Sequence, residues 1–541
     1  MRTPRSLALI PTLLPRGEGL ENPSPCGRGE EVRAGLRLVP GHFVRRSKAT
    51  IFIILLPLAA ALPGCAGLYF HDAGAPPSPP PQYRLADWPY QEYWTGFVFN
   101  GAKIGFSRLR IAPAEHQAGR YQIRSEATFT LRFLGVEKKI QVRSLDLVRE
   151  DLALVEFAHD YSIDGNELKL TGAVEGGVLR VTADTRGNKT KQEFPVMDKV
   201  YPTSVIALYP VRHGLEIGRR YVYEVYDGQS QTLAPAEQEI QAYERSELFE
   251  GNAYRIRTRL LGHGVTTWIN DRGIPLFELA LNGAMISAHE SEAEAKRYLT
   301  QASLNKQDVL LDFSLVRVDT PIPEPRRTAR LRIALEGLDA GSLPPNDPGQ
   351  QCRGENNAVL CEIRALAPAA NRARPPRDGY EKYLRPTLTA PSVDPRIRAQ
   401  ARAIAGDEAP SAAVALLVDW MQKNIERVPV DVFSAIDVLE GKKAECQGHA
   451  YLYTALARAL GIPTRVVNGL VYAEEHRGFL YHSWNESLVN GEWLPVDPTF
   501  GQVGADATHI KLIEGESPAD LLPLVELVGR IKARVVSFET R

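Results

Sequence analysis

The hydrophobic period of this chain changes once, and that change limits what the chain can fold into. From about Tyr90 to Leu299 apolar residues recur at every second position, as in Phe97 and Phe99, Ile104 and Phe106, Phe129, Leu131 and Phe133, and Ile140 and Val142. Successive strand residues point to opposite faces, so this rhythm predicts half-buried strands and not helices. Asn100-Gly101, Asp164-Gly165, Gly176-Gly177 and Asn270-Asp271-Arg272-Gly273 supply the residues that hairpin turns demand. Residues 90–300 are therefore expected to form one antiparallel β domain. Residues 313–367 read as a smaller β unit, with strands from Phe313 to Val318 and from Ala329 to Leu335, then a hairpin carrying Cys352 and Cys361. After a Pro- and Arg-rich joint, Pro368 to Arg377, the period becomes helical. Asp394 suits a helix cap, Pro395 the first helical position and Gly406 the exit. Val414, Leu417, Val418, Met421 and Ile425 form one stripe on the next helix. At 541 residues the chain exceeds one core. The expected fold class is multidomain: an antiparallel β-rich N-terminal domain, the small β unit and an α+β domain over 394–541.

The N-terminus reads as an export signal. Arg45, Arg46 and Lys48 precede an apolar run from Ile51 to Leu62, which ends in Pro63-Gly64-Cys65. That run is shorter than the roughly 20 residues a membrane-spanning helix needs, and a basic region, a short apolar region and small residues in series mark a cleavable signal. The ending resembles a bacterial lipobox, which implies acylation of Cys65 and, with Ala66 following, sorting to the periplasmic side of the outer membrane. Residues 1–65 are thus a leader and lipoprotein-type signal. The Pro-, Gly- and Arg-rich stretch 1–43 sits awkwardly before it, and a true start near Val44 is expected. Residues 66–89 read as a tether, with Pro76, Pro77, Pro79, Pro80 and Pro81 favouring an extended spacer. With 64 basic against 65 acidic residues there is no global field to attract nucleic acid.

The five cysteines then sort by position. Cys26 lies in the leader and Cys65 is the expected lipid attachment site. Cys352 and Cys361 flank a turn-rich stretch, and in an oxidising compartment a disulfide between them is expected. Cys446 is left over, which makes it a candidate reactive thiol.

The chemistry is concentrated between Ser434 and Phe500. Glu445-Cys446-Gln447-Gly448-His449 opens a helical stretch that ends at Gly461-Ile462-Pro463. Cys446 thus starts a helix, where unpaired amides and the helix dipole favour a thiolate, and it is expected to react well below the pH of an ordinary thiol. A strand beginning at Tyr481-His482-Ser483-Trp484 turns at Asn490-Gly491 into Glu492 to Thr499. If Asn490-Gly491 is a two-residue turn, Val489 faces Glu492, and counting back puts His482 opposite Thr499 with Asp497 its diagonal neighbour on the same face. A thiol, an imidazole to take its proton and a carboxylate to orient the imidazole make a nucleophilic triad. His449 is expected to pack, not to react, and Trp484 and Trp493 to lie in the core. The amide of Cys446 is the expected oxyanion donor, with Gln447 and Asn424 as candidate side-chain donors.

These residues resemble the bacterial transglutaminase-like family of thiol enzymes. The resemblance rests on Cys446 at a helix start, on His482 and Trp484, on Val496-Asp497-Pro498-Thr499, and on the helix exit Ala455 to Arg465. It covers residues 394–515 and departs at Ala444-Glu445, where Gly-Asp is usual, and at Gln447-Gly448, where Thr-Glu often stands. It implies a papain-like α+β domain with Cys446, His482 and Asp497 as catalytic residues. The implied chemistry is acyl transfer from an amide through a thioester, to water in a peptidase or amidase or to an amine in a transglutaminase. No cofactor or metal is expected; the expected partners are a protein or peptide substrate, cell-wall peptide included, and a membrane through the lipid anchor. The alternative is a catalytically silent module whose β domain, loosely similar to periplasmic curved-sheet carriers, binds lipid, glycan or protein.

Overall fold

The structure is a computed structural model that describes residues 69–541 apart from 135, 298–307, 339–342, 356, 368–378 and 526. The expected leader, Cys26 and the expected lipid attachment site Cys65 lie outside the described residues, as does the Pro368–Arg377 joint. No helix among the described residues is long and apolar enough to cross a membrane.

The alternation between Tyr90 and Leu299 does produce one large sheet. Fifteen of its sixteen strands form a continuous path of sequence neighbours joined where Met285–Glu290 pairs with Glu92–Phe99, antiparallel except where Val200–Pro202 runs parallel to Arg220–Asp227. Hairpins fall at the expected turns: Phe99 pairs with Ala102, Ile163 with Asn166 and Glu175 with Val178. The sheet curls so that its two halves share a core. Leu109, Ile111, Ile123 and Val148 from one half pack with Tyr201, Val225 and Ala236 from the other, and Phe157 stacks on Tyr226 with ring centroids 5.1 Å apart.

Two expectations change here. The proline stretch lies against this sheet and is not a free spacer: the Ala73 N–H donates to the Tyr243 carbonyl and the Leu215 N–H to the Pro81 carbonyl. Before it, Phe70–Asp72 pairs with Thr232–Ser246, and Phe70 stacks on Trp268 at 4.2 Å. The second change is at Phe313, which belongs to a helix, Val309–Ser314, and not to a strand. Asp308 caps that helix by accepting from the Leu311 N–H at 3.1 Å, and Phe313 meets Phe99 of the large sheet edge-on.

The expected small β unit is not separate from the C-terminal part. Gln350–Glu355, Ala358–Arg364 and Thr328–Glu336 form a four-stranded sheet completed by the C-terminal strand Lys532–Thr540. Cys352 and Cys361 face each other across its hairpin with their sulfurs bonded. One face of this sheet packs on a six-stranded antiparallel sheet through Leu331, Ile333, Leu335, Leu470, Tyr472, Phe479 and Ile510. That second sheet runs Gln502–Val503, Glu492–Asp497, Gly478–Val489, Thr464–Ala473, Ile510–Glu514, with Val316–Arg317 beside Gly478. Helices cover its other face. Pro395–Ala405, with Asp394 as cap and Gly406 as exit, Pro410–Asn424, Ala435–Gly441 and Cys446–Ala459 bury Ile397, Val414, Leu417, Met421, Ala450, Leu452 and Leu456 in one core with Val466 and Val496. The C-terminal body is therefore helix layer, sheet and second sheet.

Candidate active site

Three elements of that body meet at one place. The helix Cys446–Ala459 starts there with Glu445 as its N-cap residue, and Glu445 makes no side-chain cap bond. The amides of its first turn are thus free of a side-chain cap. The close approach that seats this helix needs Gly448, since a Cβ there would lie 2.6 Å from the Ala444 Cβ and 3.0 Å from Val432. Asn485 pins the helix to the strand Gly478–Val489 by donating to the Ala450 carbonyl (3.1 Å) and Thr454 Oγ (2.7 Å), and Tyr453 bonds Ser487.

The hairpin follows the counted register. Asn490 and Gly491 both have positive φ, Val489 pairs with Glu492, and pairing continues inward to Asn485 with Val496. Asp497 lies just past the last pair, yet the diagonal holds: His482 Nε2 lies 2.8 Å from Asp497 Oδ2, and both side chains are buried. Oδ1 of the same carboxylate accepts the Thr499 and Phe500 N–H groups at 2.7 and 3.2 Å, which fixes its orientation. The imidazole of His482 lies nearly parallel to Trp484, which is buried, and tilts against Phe500. Trp493 differs: it is half-buried, with Arg465 over its ring at 4.1 Å.

Asp497 is held well below the usual carboxylate range: burial opposes its charge, but His482 and His509 outweigh burial. His482 is pushed below the ordinary imidazole value, chiefly by burial, and is thus neutral at pH 7. With Nε2 committed to Asp497, Nδ1 is the ring nitrogen that this bond leaves over. Cys446 is partly buried, and the backbone N–H groups of Ser483 and Gln447 face its sulfur and favour a thiolate. They do not prevail. Burial first, and then the Glu445 carboxylate, push the thiol well above its ordinary value, and the sulfur lies 3.8 Å from Glu445 Oε2. The helix-start expectation of a depressed thiol is therefore corrected, because a like charge and desolvation sit on the same sulfur.

Glu445 is itself displaced upward to about 7, by burial and then by Asp431. It faces Lys138, a residue of the large sheet, whose Nζ lies 2.6 Å from Asp431 Oδ2 and 3.7 Å from Asp164 Oδ2. His449 bonds the Glu445 carbonyl through Nδ1 at 2.9 Å and is buried, in keeping with a packing role. Asn424 donates its amide back to the Trp420 carbonyl of its own helix and is exposed, so it is not an oxyanion donor in this arrangement.

Sequence reasoning missed His509. Its Nε2 lies 2.9 Å from the same Asp497 Oδ2 that holds His482. It precedes the strand Ile510–Glu514, which lies on the far side of Thr464–Ala473 from His482, so no local hairpin count reaches it. The only local signal is Asp506-Ala507-Thr508, a turn in which Asp506 Oδ1 accepts the Thr508 N–H. Ligand atoms of His482, Asp497 and His509 lie within 4.8 Å of one another, a spacing that can hold a metal ion. Both imidazoles already spend a nitrogen on Asp497 Oδ2, however, and His509, pushed up to about 9, keeps its proton at neutral pH. A metal ligand must be the neutral imidazole, so a divalent cation here would have to displace the His509 proton and both hydrogen bonds to Asp497 Oδ2.

Residues 398–498 match the family model of the transglutaminase-like superfamily. The uncharacterized protein ML0607 of Mycobacterium leprae (strain TN) is 28% identical over 258 residues, covering 44% of this chain and 88% of the relative. A candidate cysteine protease from Cytophaga hutchinsonii shares 17% identity with a TM-score of 0.26, over 40% of this chain and 86% of its own. A β-barrel-like protein of the domain of unknown function DUF1849 from Brucella abortus shares 7% identity with a TM-score of 0.29, over 37% of this chain and 94% of its own. At such TM-scores these structural likenesses are partial and say nothing of chemistry. The family match falls on the helices, the sheet and the hairpin that hold Cys446, His482 and Asp497: the C-terminal domain of this chain is transglutaminase-like.

Proposed function

We propose that this protein is a thiol acyl-transfer enzyme in which Cys446 attacks an amide carbonyl while His482 and Asp497 manage the proton. The observation that carries this is the buried 2.8 Å bond from His482 Nε2 to Asp497 Oδ2, with the N–H of Ser483, the next residue in the chain, facing the Cys446 sulfur. The resting pair is a neutral thiol and a neutral imidazole. The thiol proton passes to Nδ1 as sulfur bonds the carbonyl carbon, and the carbonyl oxygen takes the negative charge near the uncapped amides of the first turn. The imidazolium returns the proton to the departing amine as the C–N bond breaks, leaving a thioester. Water then yields a carboxylic acid, or a second amine yields a new amide; Cys446 regains its proton either way.

The substrate class is a protein or peptide, cell-wall peptide included. The basic-apolar-Gly64-Cys65 sequence supports a lipid-anchored periplasmic enzyme. A second reading is a silent module, which the raised Cys446 thiol favours. A thiol-directed activity probe and a screen of peptides and cell-wall fragments, each with and without an amine acceptor, test the two readings. Turnover abolished by Cys446→Ala and strongly reduced by His482→Ala is the expected result. Probe labelling that ignores His482→Ala, together with no turnover of any fragment, would leave the silent module.

A further inference from the structure

Asp497 accepts two imidazoles on one oxygen, and a triad accounts for only one of them. The second, His509, is buried, and its other nitrogen faces Asp506: Nδ1 lies 3.1 Å from the Asp506 carbonyl oxygen and 3.6 Å from Oδ1. Asp506 is buried too, and its Oδ2 pairs with Arg326 at 2.9 Å. Arg326 comes from the segment just before the four-stranded sheet and is anchored there by the Tyr472 carbonyl. The groups thus alternate in sign along a line, Arg326, Asp506, His509, Asp497, ending at His482. The family match ends at residue 498, before His509.

We propose that His509 is a positioning residue for this site: as a fixed cation on Asp497 Oδ2 it holds that carboxylate in place and keeps His482 neutral with its proton on Nε2. The proposal rests on the reading of Cys446 and His482 given above. Its argument is one of charge. Asp497 with a single partner would draw a proton onto His482 and make it an imidazolium, which cannot accept a thiol proton. With a second, permanently protonated donor on the same oxygen, the carboxylate is already balanced. The charged groups that face His482 are Asp497, His509 and Arg326, and the last two both disfavour its protonation. Those that face His509 are Asp497 and Asp506, and together they outweigh burial to push it up to about 9. The imidazole rings of His482 and His509 are 5.8 Å apart. At that separation, loss of a unit charge in a protein interior should raise the His482 midpoint by roughly one to two pH units.

The test is His509→Gln, which removes the charge and keeps an amide donor, in the full chain labelled with ¹⁵N-histidine. The titration midpoint of His482 is read by NMR, with no substrate needed. A rise of about one to two units is expected. If His509→Gln does not fold, Asp506→Asn replaces it: the turn is kept, His509 loses one of its two anions and holds its proton less tightly, and above the lowered His509 midpoint the His482 titration should shift in the same direction. A purely structural His509 would disturb folding without moving the His482 midpoint, and a midpoint unchanged in a folded variant overturns the proposal. Iodoacetamide labelling of Cys446 with and without His482→Ala tests the nucleophile reading separately, so failure of one does not imply failure of the other.

Discussion

Lys138 should be worth far more than a surface lysine, although it lies on the large sheet and far in sequence from the thiol. Its side chain is buried, and its ammonium sits among Asp431 at 2.6 Å, Asp164 at 3.7 Å and the Glu445 carboxyl. The same seam holds Asn166 to the Asp431 carbonyl at 2.7 Å and Arg186 to Asp437 at 2.6 Å, the acid of the capping box that starts the helix Ala435–Gly441. Lys138→Met keeps the aliphatic stem and removes the charge, so three carboxyl groups are left facing one another. Breaking a buried pair costs about 3–5 kcal/mol, and because Asp431 is partly solvated a smaller loss, about 2–3 kcal/mol, applies here. The loss should grow with pH. Glu445, with a folded value of about 7, binds its proton more tightly folded than unfolded, so the stability it contributes is full below about pH 4.5 and is lost by about pH 7. Removing Lys138 pushes Glu445 further up and extends that loss to higher pH. Urea unfolding at about pH 5 and about pH 8 measures it, and Lys138→Met with Asp431→Asn should recover part of the loss in a double-mutant cycle. A change within about 0.5 kcal/mol at the higher pH is the size of an ordinary surface substitution. Such a result would refute the seam as an electrostatic brace.

Two further outcomes follow from the same geometry. Glu445→Gln should speed iodoacetamide labelling of Cys446 several-fold at pH 9, since the like charge that opposes the thiolate is removed. At pH 5.5 Glu445 is already protonated, so the two proteins should label alike, and a ratio independent of pH would count against Glu445 as the cause. Gly469→Ala should destabilise by about 3 kcal/mol through overpacking. Gly469 pairs with His482 on one side and Lys511 on the other, and an added Cβ would lie 2.0 Å from the Ile510 carbonyl oxygen. That shift would displace the residue next to His509, so thermal unfolding and the His482 titration should both change.

What could be read from the sequence was local. Period-two alternation and paired turn residues gave the large sheet, and Asn490-Gly491 gave a register that brings His482 to Asp497 across a single hairpin. Asp394-Pro395 and Gly406 marked a helix because capping is chemistry between near neighbours. Pairings without local signal were missed. Lys532–Thr540 completes a sheet begun at Thr328, and Ile510–Glu514 reaches Thr464–Ala473 from the far edge, bringing His509 with it. Phe313 misled because an apolar run of that length suits strand or helix, and Asp308 decides the matter by capping. Burial was the other blind spot. A helix start says thiolate, and nothing in Glu445-Cys446 says how dry the sulfur is.

Under the proposed acyl-transfer mechanism, that last gap decides how the chemistry begins. A helix N-terminus contributes about 0.3–1 kcal/mol toward an anion, whereas desolvating a charge costs several kcal/mol. At Cys446 desolvation wins, and Glu445 adds to it; at His482 the same desolvation keeps the imidazole neutral against the pull of Asp497. An ion pair waiting at rest would need both groups charged in the least favourable surroundings. The neutral pair needs charge only while the proton moves, and the carbonyl oxygen of an incoming amide then receives it beside amides that no side chain caps. On the proposed mechanism, the environment that disfavours a resting thiolate reserves the nucleophile for a bound acyl group. On the same proposal, His509, on the far side of Asp497, balances the carboxylate without lending a proton to the base.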